Sequence, residues 1–103
     1  MYIDLGAEPA IGAEKDGQKI AVEVKSFIGE SDIHNLSNSI GQYNLYKNIL
    51  EEIQPDRKLY MAIPNYAYIG VFSEPTGQLI IKKEQLKIII FNEKEGRINQ
   101  WIQ

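Results

Sequence analysis

The chain contains no cysteine. That excludes disulfides, thiolate nucleophiles and sulfur-bound zinc, and it suits a reducing cytoplasm. It has one histidine, His34, with no Cys or His companion. Zinc is therefore not expected, and a surface or capping role is. No apolar run is long enough to span a bilayer, and no charged-then-apolar leader precedes the chain. There is no Gly-rich phosphate loop and no Ser/His/Asp arrangement. Positive charge is also scarce, with 11 Lys and Arg against 14 Asp and Glu and a net charge of −3. A chain that binds DNA unaided usually carries the opposite sign. A DNA role would thus call on a local basic patch or a partner protein.

What is present fits one α/β domain over residues 1–103 with one modest core. Its centre is Ile20–Phe27, where Ile20, Val22, Val24 and Ser26 alternate with Ala21, Glu23, Lys25 and Phe27. A period of two marks a strand with unlike faces. One face is apolar, and the other carries a carboxylate and an ammonium two residues apart. The pair has two readings: a metal-ligating Glu23 with Lys25 beside it, or a solvated outer face with a casual ion pair.

Along the chain, Met1–Leu5 reads as a strand, interrupted by Gly6 and Pro9. Ile11–Glu14 is extended. Asp16-Gly17 supplies the positive φ angles of a type I′ hairpin turn, so Lys19–Phe27 returns antiparallel. Opposed positions then sum to 33, which sets Lys25 against Glu8 and Glu23 against Ala10. Asp4 falls on the same face about six residues farther along, roughly 20 Å away. It reaches Glu23 only if the Gly6–Pro9 region bends inward.

Ser31 is a plausible N-cap for a helix running to about Ile53. Ile33, Leu36, Ile40, Tyr43, Leu50 and Ile53 form its packing stripe. Asn35, Ser39, Gln42 and Tyr46 form a second stripe, polar but uncharged. Pro55 ends the helix. Lys58–Ile63 reads as a buried strand parallel to Ile20–Phe27, with the helix as crossover. Asn65–Phe72 favours a short helix, Ser73–Gly77 a loop, and Leu79–Glu84 either extended or helical structure. Leu86–Phe91 and Arg97–Ile102 are strands around a turn at Glu93–Gly96.

Asp4 on one strand, then Glu23-x-Lys25 on the next, followed by a helix, resembles the sites of PD-(D/E)xK nucleases. Two carboxylates hold a hard divalent cation, which lowers the pKa of its bound water. Lysine orients that water or offsets charge in the transition state. The resemblance implies Asp4, Glu23, Lys25 and Gln42 as catalytic residues, with Gln42 and Tyr46 as a Gln-x-x-x-Tyr element beside the site. It implies Mg²⁺ held by Glu23 and by Asp4, with Glu8 as Asp4's competitor.

A narrower resemblance covers essentially the whole chain. Ile3-Asp4-Leu5-Gly6-Ala7-Glu8, Ala13-Glu14-Lys15, Ile20–Phe27, Gly41-Gln42-Tyr43, Pro55-Asp56-Arg57 and Trp101-Ile102 are similar to the XisH-like fdxN element excision controlling factors. That implies a restriction-endonuclease-like fold: a mixed sheet, a long crossover helix and a C-terminal β-hairpin. It implies a controlling role in excising a DNA element, in a complex with a XisI-type partner and DNA, in the cytoplasm and away from membranes. A Mg²⁺-dependent endonuclease, or a partner-binding module with a relic site, are the rival readings. Relatives carry an N-terminal helix and strand before Ile-Asp-Leu. The Tyr2–Leu5 strand is therefore expected to be an edge that pairs with a partner or a second copy.

Other residues have plainer readings. Tyr60, Tyr66 and Tyr68 suit core and rim packing better than base stacking. Trp101 beside Ile98 and Ile102 reads as core closure, and Lys82, Lys83 and Lys87 as a solvated basic face.

Overall fold

The computed structural model describes residues 2–4, 9–25 and 32–102. Asp16 and Gly17 adopt φ of 52° and 80°, the two left-handed positions of a type I′ turn. Around this turn, strand β2 (Pro9–Lys15) pairs antiparallel with β3 (Gln18–Val24). Lys15 lies opposite Gln18 and Ile11 opposite Val22, so opposed positions do sum to 33. Helix α1 (Asp32–Ile53) follows and ends before Pro55. It delivers the chain to β4 (Lys58–Pro64), which runs parallel to β3.

Short helix α2 (Asn65–Ile69) and a 3₁₀ turn at Val71–Ser73 come next. Helix α3 (Pro75–Lys83) then begins inside the stretch expected to be a loop. Pro75 occupies its first turn, where the missing N–H costs nothing. The helix ends in a left-handed Gln85, φ 51°. Leu86 N–H donates to Ile81 O at 3.0 Å and Gln85 N–H to Lys82 O at 3.3 Å. This is a Schellman stop made without glycine. It commits Leu79–Lys83 to helix rather than strand, with Glu84 as the C-cap.

Strands β5 (Ile88–Asn92) and β6 (Arg97–Ile102) form the C-terminal hairpin. Asn92 Oδ1 accepts from the N–H groups of Lys94 and Glu95, both at 3.0 Å, which fixes the turn. Among the described residues the sheet has six strands in the order β1-β2-β3-β4-β5-β6, with β1 (Tyr2–Asp4) at one edge and β6 at the other. Strand β1 pairs antiparallel with β2, with Ile3 opposite Ala10 and Asp4 opposite Pro9. Leu5, the expected end of that strand, lies outside the described residues.

One face of the sheet carries the main core. Ala10, Ala21, Leu59, Met61, Ile63, Ile88 and Ile90 meet Leu36, Tyr43, Tyr46 and Leu50 of α1 and Ala67 of α2. Within α1, the expected packing stripe is only partly used. Leu36, Tyr43 and Leu50 are buried, but Ile33 and Ile53 are 59% and 51% exposed. They lie at the two ends of this 22-residue helix. Tyr46 and Ser39 are buried in their place, at 1% and 5%. Arg57 ties the helix exit to the hairpin. Its Nη1 donates to Ile20 O at 2.8 Å and Ala13 O at 3.2 Å, and its Nε to Gln54 Oε1 at 2.5 Å. The Pro-Asp-Arg segment is thus a structural clamp.

The opposite face carries a smaller cluster of Ile20, Tyr60, Ala62 and Ile89, bordered by Ala13, Val22, Phe91 and Trp101. Trp101 therefore does not close the main core. Its ring meets Tyr60 edge-on at 5.4 Å on this second face, and Ile98 is 48% exposed.

Candidate functional site

Strand alternation places Ala21 and Glu23 on the face that the helices cover. The charged face of β3 is thus the inner one, and Ile20, Val22 and Val24 face the other way. A solvated outer ion pair is ruled out for Glu23, which is 2% exposed. Lys25 Nζ lies 3.0 Å from Glu23 Oε1, with side-chain exposures of 11% and 3%. The backbone at Lys25 is fixed by its N–H donating to Ala62 O at 2.8 Å. Helix α1 closes the site from above. Lys25 Nζ donates to Gln42 Oε1 and lies 5.9 Å from the Tyr46 ring centroid. Gln42 and Tyr46 are one helical turn apart and so share the face that looks down on β3. The uncharged stripe of α1 is uncharged because it packs over a buried ion pair. Ser39, on the same stripe, returns its hydroxyl to Asn35 O at 2.8 Å.

Tyr43 is a neighbour that its place in the apolar stripe disguised. Its hydroxyl donates to Leu59 O at 3.1 Å and accepts from Lys87 N–H at 3.3 Å. Burial pushes its phenol pKa up, the Lys87 hydrogen bond works the other way, and the charges of Tyr60 and Glu23 add to the rise. The phenol is therefore held neutral, as a bridge between β4 and the start of β5.

Of the two further candidate carboxylates, Asp4 and Glu8, only the Asp4 backbone is described. The backbone of Asp4 lies two strands from β3, opposite Pro9. It is Ile3, opposite Ala10, whose backbone falls in the row that continues to Glu23. The expected 20 Å offset along the strand does not hold, because β1 runs back alongside β2. The Asp4 side chain and all of Glu8 lie outside the described residues.

A Mg²⁺ ion asks for about six oxygen ligands and usually takes one or two carboxylates from the protein. The donor chemistry fits in kind: a buried carboxylate, an amide and no sulfur. Among the described residues no group of three or more His, Asp or Glu gathers there. Glu23 would be the ligand held in place, and Asp4 or Glu8 would have to supply a second.

Fold and site together define a mixed-sheet α/β protein with an acid–lysine pair buried on a central strand beneath its crossover helix. The chain belongs to the XisH family: the model of the XisH protein family matches residues 1–99. Two crystal structures are similar to it throughout, each with 36% identity, a TM-score of 0.86 and 100% of this chain covered. One is an XisH family protein from Nostoc punctiforme PCC 73102, of which 83% is covered. The other is an fdxN element excision controlling factor protein from Anabaena variabilis, of which 82% is covered. No curated protein matches the chain. No helix among the described residues is long and apolar enough to cross a membrane.

Proposed function

We propose that this chain is a controlling factor for excision of a DNA element, acting in the cytoplasm on DNA as one member of a protein complex. Family membership supports the controlling role, and a XisI-type protein is the partner this reading expects. The observation that carries the complex is electrostatic. The chain has a net charge of −3, and its one lysine at the site is committed to Glu23 and Gln42. Little cationic charge is left there to hold a polyanion. In this reading the restriction-endonuclease-like site is a buried structural pair, and the cutting belongs to another protein. Fluorescence anisotropy of a labelled duplex at physiological salt tests it. Retention only when the partner is added supports the reading; tight, salt-sensitive binding by the isolated chain refutes it.

A second reading, a Mg²⁺-dependent endonuclease, draws on one feature. Gln42 accepts from Lys25, which would hold a catalytic ammonium in register. Here Glu23, with Asp4 or Glu8, would hold Mg²⁺, and the metal would supply an activated water. Glu23 and Gln42 would position the Lys25 side chain at the site.

A further inference from the structure

The chain is acidic overall, yet its cations are not spread evenly. On the helix-covered side, a cleft of about 250 Å³ opens between the C-terminal half of α1 and the Gln85–Lys87 link into β5. Lys47, Glu51, Arg57, Lys58, Gln85 and Lys87 line it. A second cleft of about 370 Å³ adjoins, sharing Gln85 and Lys87 and adding Lys82. Together they set four lysines and an arginine against one acid, Glu51.

Backbone contacts fix the walls of this end of the sheet. The Tyr43 hydroxyl bridges Leu59 O and Lys87 N–H, which holds the starts of β4 and β5 side by side. Arg57 is spent on Ile20 O and Ala13 O. The lysines are not spent. Lys15, Lys19, Lys25 and Arg97 each reach a carboxylate. Among the described residues Lys47, Lys58, Lys82 and Lys87 form no ion pair, although Glu51 is one helical turn from Lys47. Lys82, in the last turn of α3, offsets the negative end of that helix. Lys47, Lys58 and Lys87 stand in no helix last turn, so that role does not account for them. Lys58 is four residues down β4 from Ala62, whose carbonyl accepts from Lys25 N–H. Roughly 13 Å of strand therefore separates this cationic end from the buried ion pair.

We propose that this end of the sheet, and not the Glu23–Lys25 site, carries the phosphate backbone of duplex DNA, with Lys47, Lys58, Lys82 and Lys87 each neutralising a phosphate. The proposal rests on the reading above for the ligand being DNA. Protein–protein interfaces are depleted in lysine. Lysines on flexible stems suit a polyanion held by charge and without regard to sequence. About four phosphate contacts give log K a slope of about −3.6 against log salt, so binding by the isolated chain falls about a thousandfold between about 20 and 150 mM salt. That loss is what a partner in the complex has to make good.

Fluorescence anisotropy of a labelled duplex of arbitrary sequence, titrated with the isolated chain between about 20 and 150 mM salt, tests the surface. Weak, saturable binding is expected at low salt. Lys47→Glu with Lys58→Glu should weaken it at least about tenfold more than Lys94→Glu with Arg97→Glu, which changes the net charge equally at the β5–β6 turn, and should flatten the salt slope by about 2. Circular dichroism should match the wild type in both double variants. Lys47→Gln and Lys82→Gln, milder changes at exposed positions, should each flatten the slope by about 1. No binding at low salt, equal loss in the two double variants, or unchanged slopes in the glutamine variants overturns the proposal. So does polyglutamate that displaces the duplex as well as unlabelled DNA does, which assigns the surface to an acidic partner protein. Each of these outcomes leaves the complex reading standing. That reading fails on a different result, tight binding by the isolated chain at physiological salt.

Discussion

The Lys25 ammonium lies 3.0 Å from the Glu23 carboxylate, and the two side chains are only 11% and 3% exposed. Glu23 lies on β3 and Lys25 just past its end, and Gln42 of α1 accepts from the Lys25 ammonium. A buried ion pair contributes little net stability, because desolvation cancels much of the attraction. Removing one partner is another matter, since it strands a charge in the core.

Lys25→Met is therefore expected to destabilise the protein by about 3–5 kcal/mol. Adding Glu23→Gln to it should recover a large part of that loss. Urea unfolding of the two single variants and the double variant forms a double-mutant cycle. Additive losses would show that the two groups do not interact.

The pair was legible in the sequence as Glu-x-Lys on an alternating strand, but its face was not. Alternation says that two faces differ, not which one the helices cover. Only the crossover geometry of α1 puts Glu23 inside and Val24 outside. The hairpin register was legible because Asp16-Gly17 permits one turn type. The start of α3 was not, because Pro75 and Gly77 read as breakers. In fact Pro75 fills a helix first turn, and Gly77 is small because the backbone of Phe72 passes close by.

That contact separates two glycines. A Cβ on Gly77 would meet Val71 O at 2.2 Å and Phe72 Cα at 2.6 Å, both backbone atoms that cannot swing aside. Gly77→Ala should cost about 1–3 kcal/mol. A Cβ on Gly41, exposed within α1, would meet nothing within 4 Å. Gly41→Ala should stabilise by about 0.5–1 kcal/mol through helix propensity. Thermal melts of the two variants, moving in opposite directions, check this.

Tyr43 gives a pH signature. Its folded phenol pKa is raised, mainly by burial. Its contribution is thus fully present below the unfolded value of about 10 and is lost as pH rises through the folded value. Tyr43→Phe should leave Leu59 O and Lys87 N–H short of a partner and cost about 1–3 kcal/mol near neutral pH. Between about pH 9 and 11 its stability should fall less steeply than that of the wild type. Parallel slopes would show that Tyr43 does not titrate in this way.

The measurement that bears most directly on the central claim is cleavage of supercoiled circular DNA by the isolated chain with Mg²⁺ at neutral pH. A controlling factor that works through a complex should leave the DNA supercoiled, and Glu23→Gln should behave identically. Mg²⁺-dependent nicking by the wild type that disappears in Glu23→Gln would contradict the account and establish the chain as a nuclease in its own right.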